Sequence, residues 1–95
     1  MTRTAVIAGV GPGLGESLAR TFAAEGCRVA LFARSAEYIE ALADDLPEPG
    51  EGLAVPTDPT DVKAVRSGFD AVRDAFGPVD VVINHASTAS WTGLM

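Results

Sequence analysis

Ninety-five residues accommodate at most one small domain and bury only a modest core. Hydrophobic residues make up 47% and charged ones 21%, a globular balance with no apolar run long enough to span a bilayer and no basic-apolar leader, so a soluble cytoplasmic protein is expected. Thirteen acidic groups against seven basic ones leave a net charge of −6, which argues against nucleic acid and anionic membranes as partners, because both demand a basic face. The lone Cys27 has no partner for an internal disulfide and no Cys or His at metal-ligand spacing; buried packing is its expected role, and no metal is expected.

The chain opens on Thr4-Ala5-Val6-Ile7-Ala8, an apolar run that predicts a strand and leads straight into Gly9-Val10-Gly11-Pro12-Gly13-Leu14-Gly15. A helix follows from Leu14, with Leu18, Ala19, Phe22 and Ala23 on its apolar stripe, Glu16 and Arg20 paired four apart on the wet side, and Gly26 as the stop. Arg28 to Ala33 reads as a second strand. Ser35 is a candidate cap for a second helix from Ala36 to Asp45, with Ile39, Leu42 and Leu46 inward, and Pro47, Pro49, Gly50 and Gly52 break it. A short strand, Leu53-Ala54-Val55, ends before Pro56. Thr60 or Asp58 is the candidate cap of a third helix, whose Val62, Val65, Phe69, Val72 and Phe76 alternate in steps of three and four before Gly77-Pro78 closes it. Val79 to Ile83 is the fourth strand. This alternation predicts β-α-β units and a parallel sheet of order 3-2-1-4, an incomplete Rossmann-like α/β fold whose ligand crevice lies at the carboxyl ends of strands 1 and 4.

Strand, glycine loop and helix in succession bring bare backbone close to a bound anion, where the free N–H groups and positive dipole end of the helix hold a phosphate. A nucleotide pyrophosphate is the natural ligand, held by Gly9, Gly11, Gly13, Leu14 and Gly15. The spacing departs from G-x-G-x-x-G and reads Gly9-x-x-x-Gly13-x-Gly15. In this it resembles the short-chain dehydrogenase/reductase family, whose loop is Thr-Gly-x-x-x-Gly-x-Gly, with Ala8 standing where the family usually has Thr.

Arg34 lies at the carboxyl end of the second strand, nineteen residues beyond Gly15 and flanked by no acid. An acid there would bond a ribose 2′-hydroxyl and repel a 2′-phosphate, whereas a guanidinium binds that phosphate, so NADP is expected over NAD. The resemblance agrees on Arg34, while Pro12 occupies the position of a second basic residue in many NADP-preferring relatives. Asp58-Pro59-Thr60-Asp61 looks like the family's Asp-Val-Thr-Asp, in which the first Asp bonds the adenine amino group; a helix-capping carboxylate is the alternative use of Asp58. Asn84-His85-Ala86-Ser87 retains two positions of the family's Asn-Asn-Ala-Gly. The resemblance implies that Asn84 ties strand ends together and that the backbone at Ala86 lines the nicotinamide ribose. His85 has no orienting acid or nucleophile nearby in sequence and reads as structural, and Trp91 as packing or substrate-facing.

The family transfers hydride between NAD(P)(H) and an alcohol or carbonyl with a Ser and a Tyr-x-x-x-Lys pair. None of these catalytic residues is present: Tyr38 is followed four residues later by Leu42, and Lys63 is preceded at that spacing by Pro59. The fourth strand, apolar on both faces apart from Asp80, reads as one with neighbours on both sides. Residues 1–95 are therefore expected to form an NAD(P)-binding domain, the amino-terminal part of a longer oxidoreductase, inactive alone. A small alcohol or carbonyl substrate is expected of the full-length protein, and so is a homo-oligomer. A non-catalytic nucleotide-binding module or truncated pseudoenzyme is the alternative, and a methyltransferase-like domain is disfavoured by Arg34, since its ribose would want an acid there.

Overall fold

A computed structural model describes residues 3–9, 13–58 and 60–84, with Leu14 described by its backbone alone. Strands and helices alternate: β1 (Thr4–Ala8), α1 (Leu14–Ala24), β2 (Arg28–Ala33), α2 (Ala36–Asp45), β3 (Glu51–Pro56), α3 (Val62–Phe76) and β4 (Val81–Asn84). All strand pairings are parallel, in the order β3-β2-β1-β4, as the alternation predicts. The chain therefore steps outward from β1 to β3 and returns past β1 to place β4, which makes the gap between β1 and β4 a topological switch point.

Helices cover both faces of this sheet. Ile7, Val29, Leu31 and Ala33 point to the side of α1 and α2, where Ala19, Ala23, Ile39, Leu42 and Leu46 meet them. Val6, Ala8, Ala30 and Phe32 point the other way, onto Val65, Phe69 and Val72 of α3. Phe32 and Phe69 meet edge to face at 5.4 Å, the geometry aromatic quadrupoles favour. Because β1 and β2 are buried on both sides, their sequences are continuous apolar runs rather than alternating ones. Among the described residues, no helix is long and apolar enough to cross a membrane.

Four local expectations change. The cap of α3 is Asp61, whose Oδ1 accepts from the N–H groups of Lys63 at 3.0 Å and Ala64 at 3.3 Å, rather than Thr60 or Asp58. Asp58 instead closes a turn on Thr60. Ser35 does occupy the N-cap of α2, but its side chain makes no capping hydrogen bond. β4 starts two residues later than its hydrophobicity suggests, because Asp80 enters the sheet partly through its side chain: Thr4 N–H donates to Asp80 Oδ2 at 2.9 Å, and Asp80 N–H donates to Thr4 O at 2.9 Å. The strand itself is half-buried, with β1 as its one partner among the described residues. β3 runs longer than its hydrophobic centre, from Glu51 to Pro56, since pairing with β2 recruits polar and glycine positions too. Cys27 is half-buried and packs against the α1/α2 side of the core.

The amino end of the sheet is fastened by Arg28, which donates to Phe76 O at 3.2 Å and lies over the Phe76 ring, 5.8 Å from its centroid. That one side chain joins β2 to the end of α3, near Gly77, which stops the helix at φ 88°. On the other face, α2 approaches β3 closely because Gly52 has no side chain: a Cβ there would stand 2.7 Å from Ala43 O and 2.8 Å from Ala43 Cα. A Gly52→Ala variant is expected to lower unfolding stability by about 1–3 kcal/mol, read as a reduced denaturant midpoint, because helix backbone and not a flexible side chain must give way. An unchanged midpoint would show that α2 is not seated against β3 in this way.

Candidate functional site

Parallel pairing brings four separated parts of the chain to one edge. Ala8 at the end of β1 pairs with Phe32 on one side and Asn84 on the other, and Ala33 pairs with Pro56. Gly9 N–H donates to Phe32 O at 2.9 Å and Thr57 N–H to Ala33 O at 2.8 Å, so the ladder continues just past the strands. Gly9, Arg34, Asp58 and Asn84 thus emerge side by side at the carboxyl edge. Gly11, Ala86, His85 and Trp91, together with Pro12, lie outside the described residues.

Gly9 leaves β1 and Gly13 opens α1 at that edge. Gly9 has φ 78° and Gly13 φ 103°, both in the left-handed region that side chains rarely adopt. Gly13 is the N-cap, its carbonyl taking the first helical bond from Ser17 N–H at 3.0 Å, and no side chain caps the helix. The N–H groups of Leu14, Gly15 and Glu16 are consequently without intrahelical acceptors. A Cβ built on Gly13 would meet nothing within 4 Å among the described residues, while Gly15 is buried. A helix terminus without a side-chain cap among the described residues suits an anion.

Arg34 and Asp58, which the sequence offers as separate contacts, touch. Arg34 Nη2 donates to Asp58 Oδ1 at 3.1 Å, and the same oxygen accepts from Thr60 N at 2.9 Å and Thr60 Oγ1 at 2.6 Å. The hydroxyl of Thr60 chiefly, then its backbone N–H and Arg34, hold the Asp58 carboxyl below the usual carboxylate range. Nε and Nη1 of Arg34 and Oδ2 of Asp58 keep no partner among the described residues, and the Arg34 side chain is 67% exposed. Sequence reading offers Thr60 only as a candidate cap; the Asp-x-Thr spacing, which favours side-chain turns two residues apart, is the signal for its contact with Asp58. Among the described residues no cluster of His, Cys, Asp or Glu could hold a metal.

A family profile described as short chain dehydrogenase matches residues 3–94. The chain belongs to the short-chain dehydrogenase family. Meso-2,3-butanediol dehydrogenase of Serratia marcescens is 38% identical over 84 residues, 88% of this chain and 33% of that protein. Among solved structures, L-sorbose reductase from Gluconobacter frateurii, complexed with NADPH and L-sorbose, superposes with a TM-score of 0.83 at 33% identity, over 94% of this chain and 35% of that one. A 3-ketoacyl-(acyl-carrier-protein) reductase from Brucella melitensis, complexed with NADH, does so with 0.77 at 31% identity, over 84% and 32%. The chain spans about a third of the length of the relatives it matches.

In this short-chain dehydrogenase chain the only tyrosine is engaged elsewhere. Tyr38 Oη donates to Glu16 Oε1 at 2.6 Å, and Arg20 joins Glu16 at 3.2 Å to Asp45 at 3.0 Å, so the first turn of α1 is tied to both ends of α2. These groups line an open cleft of about 440 Å³ along the outer groove between the helices, apart from Gly9, Arg34 and Asp58. Tyr38 and then Arg20 hold the Glu16 carboxyl below its usual range. Burial, and then the bond to Glu16, push the Tyr38 phenol up to about 12. Its folded value lies above the ordinary 10.0, so the tie contributes fully below pH 10.0 and is lost as pH rises through about 12. Tyrosinate absorbance, which reports this residue alone, is expected to titrate near pH 12, and Glu16→Gln to lower the midpoint while burial keeps it above the ordinary value. A midpoint at the ordinary value would show that the α1–α2 tie does not form.

Proposed function

We propose that these residues form the cofactor-binding part of an NADP-preferring short-chain oxidoreductase, which moves hydride between the cofactor and a small alcohol or carbonyl compound. The observation that carries the cofactor choice is Arg34, an exposed guanidinium at the carboxyl end of β2, where an NAD site would offer a carboxylate to the ribose. The two complexes cited differ in their cofactor, NADPH in one and NADH in the other, so the preference rests on this residue.

Each part of the edge has a task in this reading. The N–H groups at the start of α1 and the backbone of Gly9, Gly11, Gly13, Leu14 and Gly15 would hold the pyrophosphate. Arg34 binds the 2′-phosphate, and Asp58 Oδ2 accepts from the adenine amino group. Asn84, at the end of β4, keeps the strand ends together beside the nicotinamide ribose, with the backbone of Ala86 lining that ribose. The cofactor, when bound, supplies or takes the hydride. Proton exchange with substrate needs the family's Ser and Tyr-x-x-x-Lys, which these 95 residues lack, and Tyr38 is committed to Glu16. Residues beyond this chain would supply them, together with the surfaces of a homo-oligomer, and the 95 residues alone are expected to turn nothing over. That same absence favours a second reading, a nucleotide-binding module without turnover.

Fluorescence titration of the protein with NADPH and NADH tests the assignment. NADPH should bind more tightly, and Arg34→Asp should weaken NADPH by about tenfold or more while sparing NADH, because it adds a repulsive charge as well as removing charge-assisted hydrogen bonds. Equal affinities in the parent protein would remove Arg34 from this role. Gly13→Val is expected to abolish binding of both cofactors with little change in circular dichroism, since the side chain fills the open space over the helix start. Undiminished affinity in that folded variant would reduce the loop to a turn.

A further inference from the structure

We propose that Thr60, acting through Asp58, is a positioning residue that sets how strongly the site discriminates for a 2′-phosphate. The inference rests on the NADP reading of Arg34 and adds a residue and a division of labour within it. Arg34 follows β2 directly on a flexible stem, and Asp58 is its one ion-pair partner among the described residues. A free guanidinium loses rotamer entropy when it captures a ligand, so a neighbour that holds it beforehand favours binding. An exposed carboxylate could hold it only if its own torsions were fixed.

Thr60 does the fixing. Its N–H at 2.9 Å and its hydroxyl at 2.6 Å both donate to Asp58 Oδ1, the oxygen that meets Arg34 Nη2 at 3.1 Å. Three donors on one oxygen pin the carboxylate and spread its negative charge, which softens its repulsion toward a phosphate bound by the same Arg34. The two oxygens then serve different ends: Oδ1 orients Arg34, and Oδ2 stays open for the adenine amino group. Nε and Nη1 of Arg34 remain for the acceptor oxygens of the phosphate. In this reading Thr60 acts on the ligand only through Asp58.

Calorimetric titration with adenosine 2′,5′-bisphosphate and adenosine 5′-monophosphate tests this on the adenosine end alone. The parent protein should prefer the bisphosphate. Thr60→Val keeps the shape and the backbone N–H but removes the hydroxyl, and is expected to cut that preference by about threefold, the bisphosphate losing more affinity than the small loss both probes share at the adenine, a modest effect in keeping with an exposed ion pair. Thr60→Ser should restore it, and relaxation of the Arg34 Nε–H signal should show faster motion in Thr60→Val than in Thr60→Ser. A preference unaltered in Thr60→Val, or a loss shared equally by both probes, overturns the positioning role. If Arg34→Met erases the preference while Thr60→Val leaves it intact, this inference falls alone; a parent protein without preference sinks the Arg34 reading as well.

Discussion

Burial of β1 on both faces is the constraint from which the other elements follow. Thr4, Ala5, Val6, Ile7 and Ala8 are at most 2% exposed, so none of their backbone groups has water to turn to. Each must find a partner along the sheet, which places β2 and β4 on either side, and each side chain must find apolar company, which places α1 and α2 over one face and α3 over the other. A parallel sheet built this way has its chain reversals at fixed ends. The glycine loop, Arg34, Asp58 and Asn84 share an edge for that reason and not through proximity in sequence.

Much of this was legible before any coordinates. The helix over Ala36–Asp45 is bracketed by Ser35 and Pro47, the third helix announces itself by its steps of three and four, and the strand order follows from alternation alone. What the sequence leaves open is local competition among neighbouring capping residues. Asp58, Thr60 and Asp61 all have capping chemistry, and only the turn that bends Asp58 back onto Thr60 leaves Asp61 at the helix start. The pairing of Arg34 with Asp58 was out of reach for a different reason. It depends on β2 and β3 lying in register, a long-range fact that no window of sequence contains. The late start of β4 is similar, since hydrophobicity says nothing of a carboxylate standing in for a backbone acceptor.

The electrostatics of the edge run against the rest of the molecule. With a net charge of −6, the chain as a whole repels a phosphate-rich ligand at long range. In the proposed function, attraction would therefore be generated locally, within a screening length of about 8–10 Å, by the α1 terminus and by Arg34. Such an arrangement favours recognition by close fit over capture by bulk charge. On the NADP reading proposed above, it would also let one carboxylate sit beside a 2′-phosphate, since Asp58 is occupied on one oxygen by hydrogen-bond donors.

Arg28 stands at the far end of β2 from Arg34, and its hold on Phe76 gives the two ends of the strand different characters. One arginine clasps the scaffold and the other faces solvent, six residues apart on a single strand's span. Mutational drift is thereby partitioned: residues at the clasped end are constrained by assembly, whereas those at the open end can exchange charge and shape without loosening it. On the proposed reading of Arg34, a lineage carrying this chain would retune its choice of nucleotide by substitutions around that residue alone and inherit the rest of the framework unchanged.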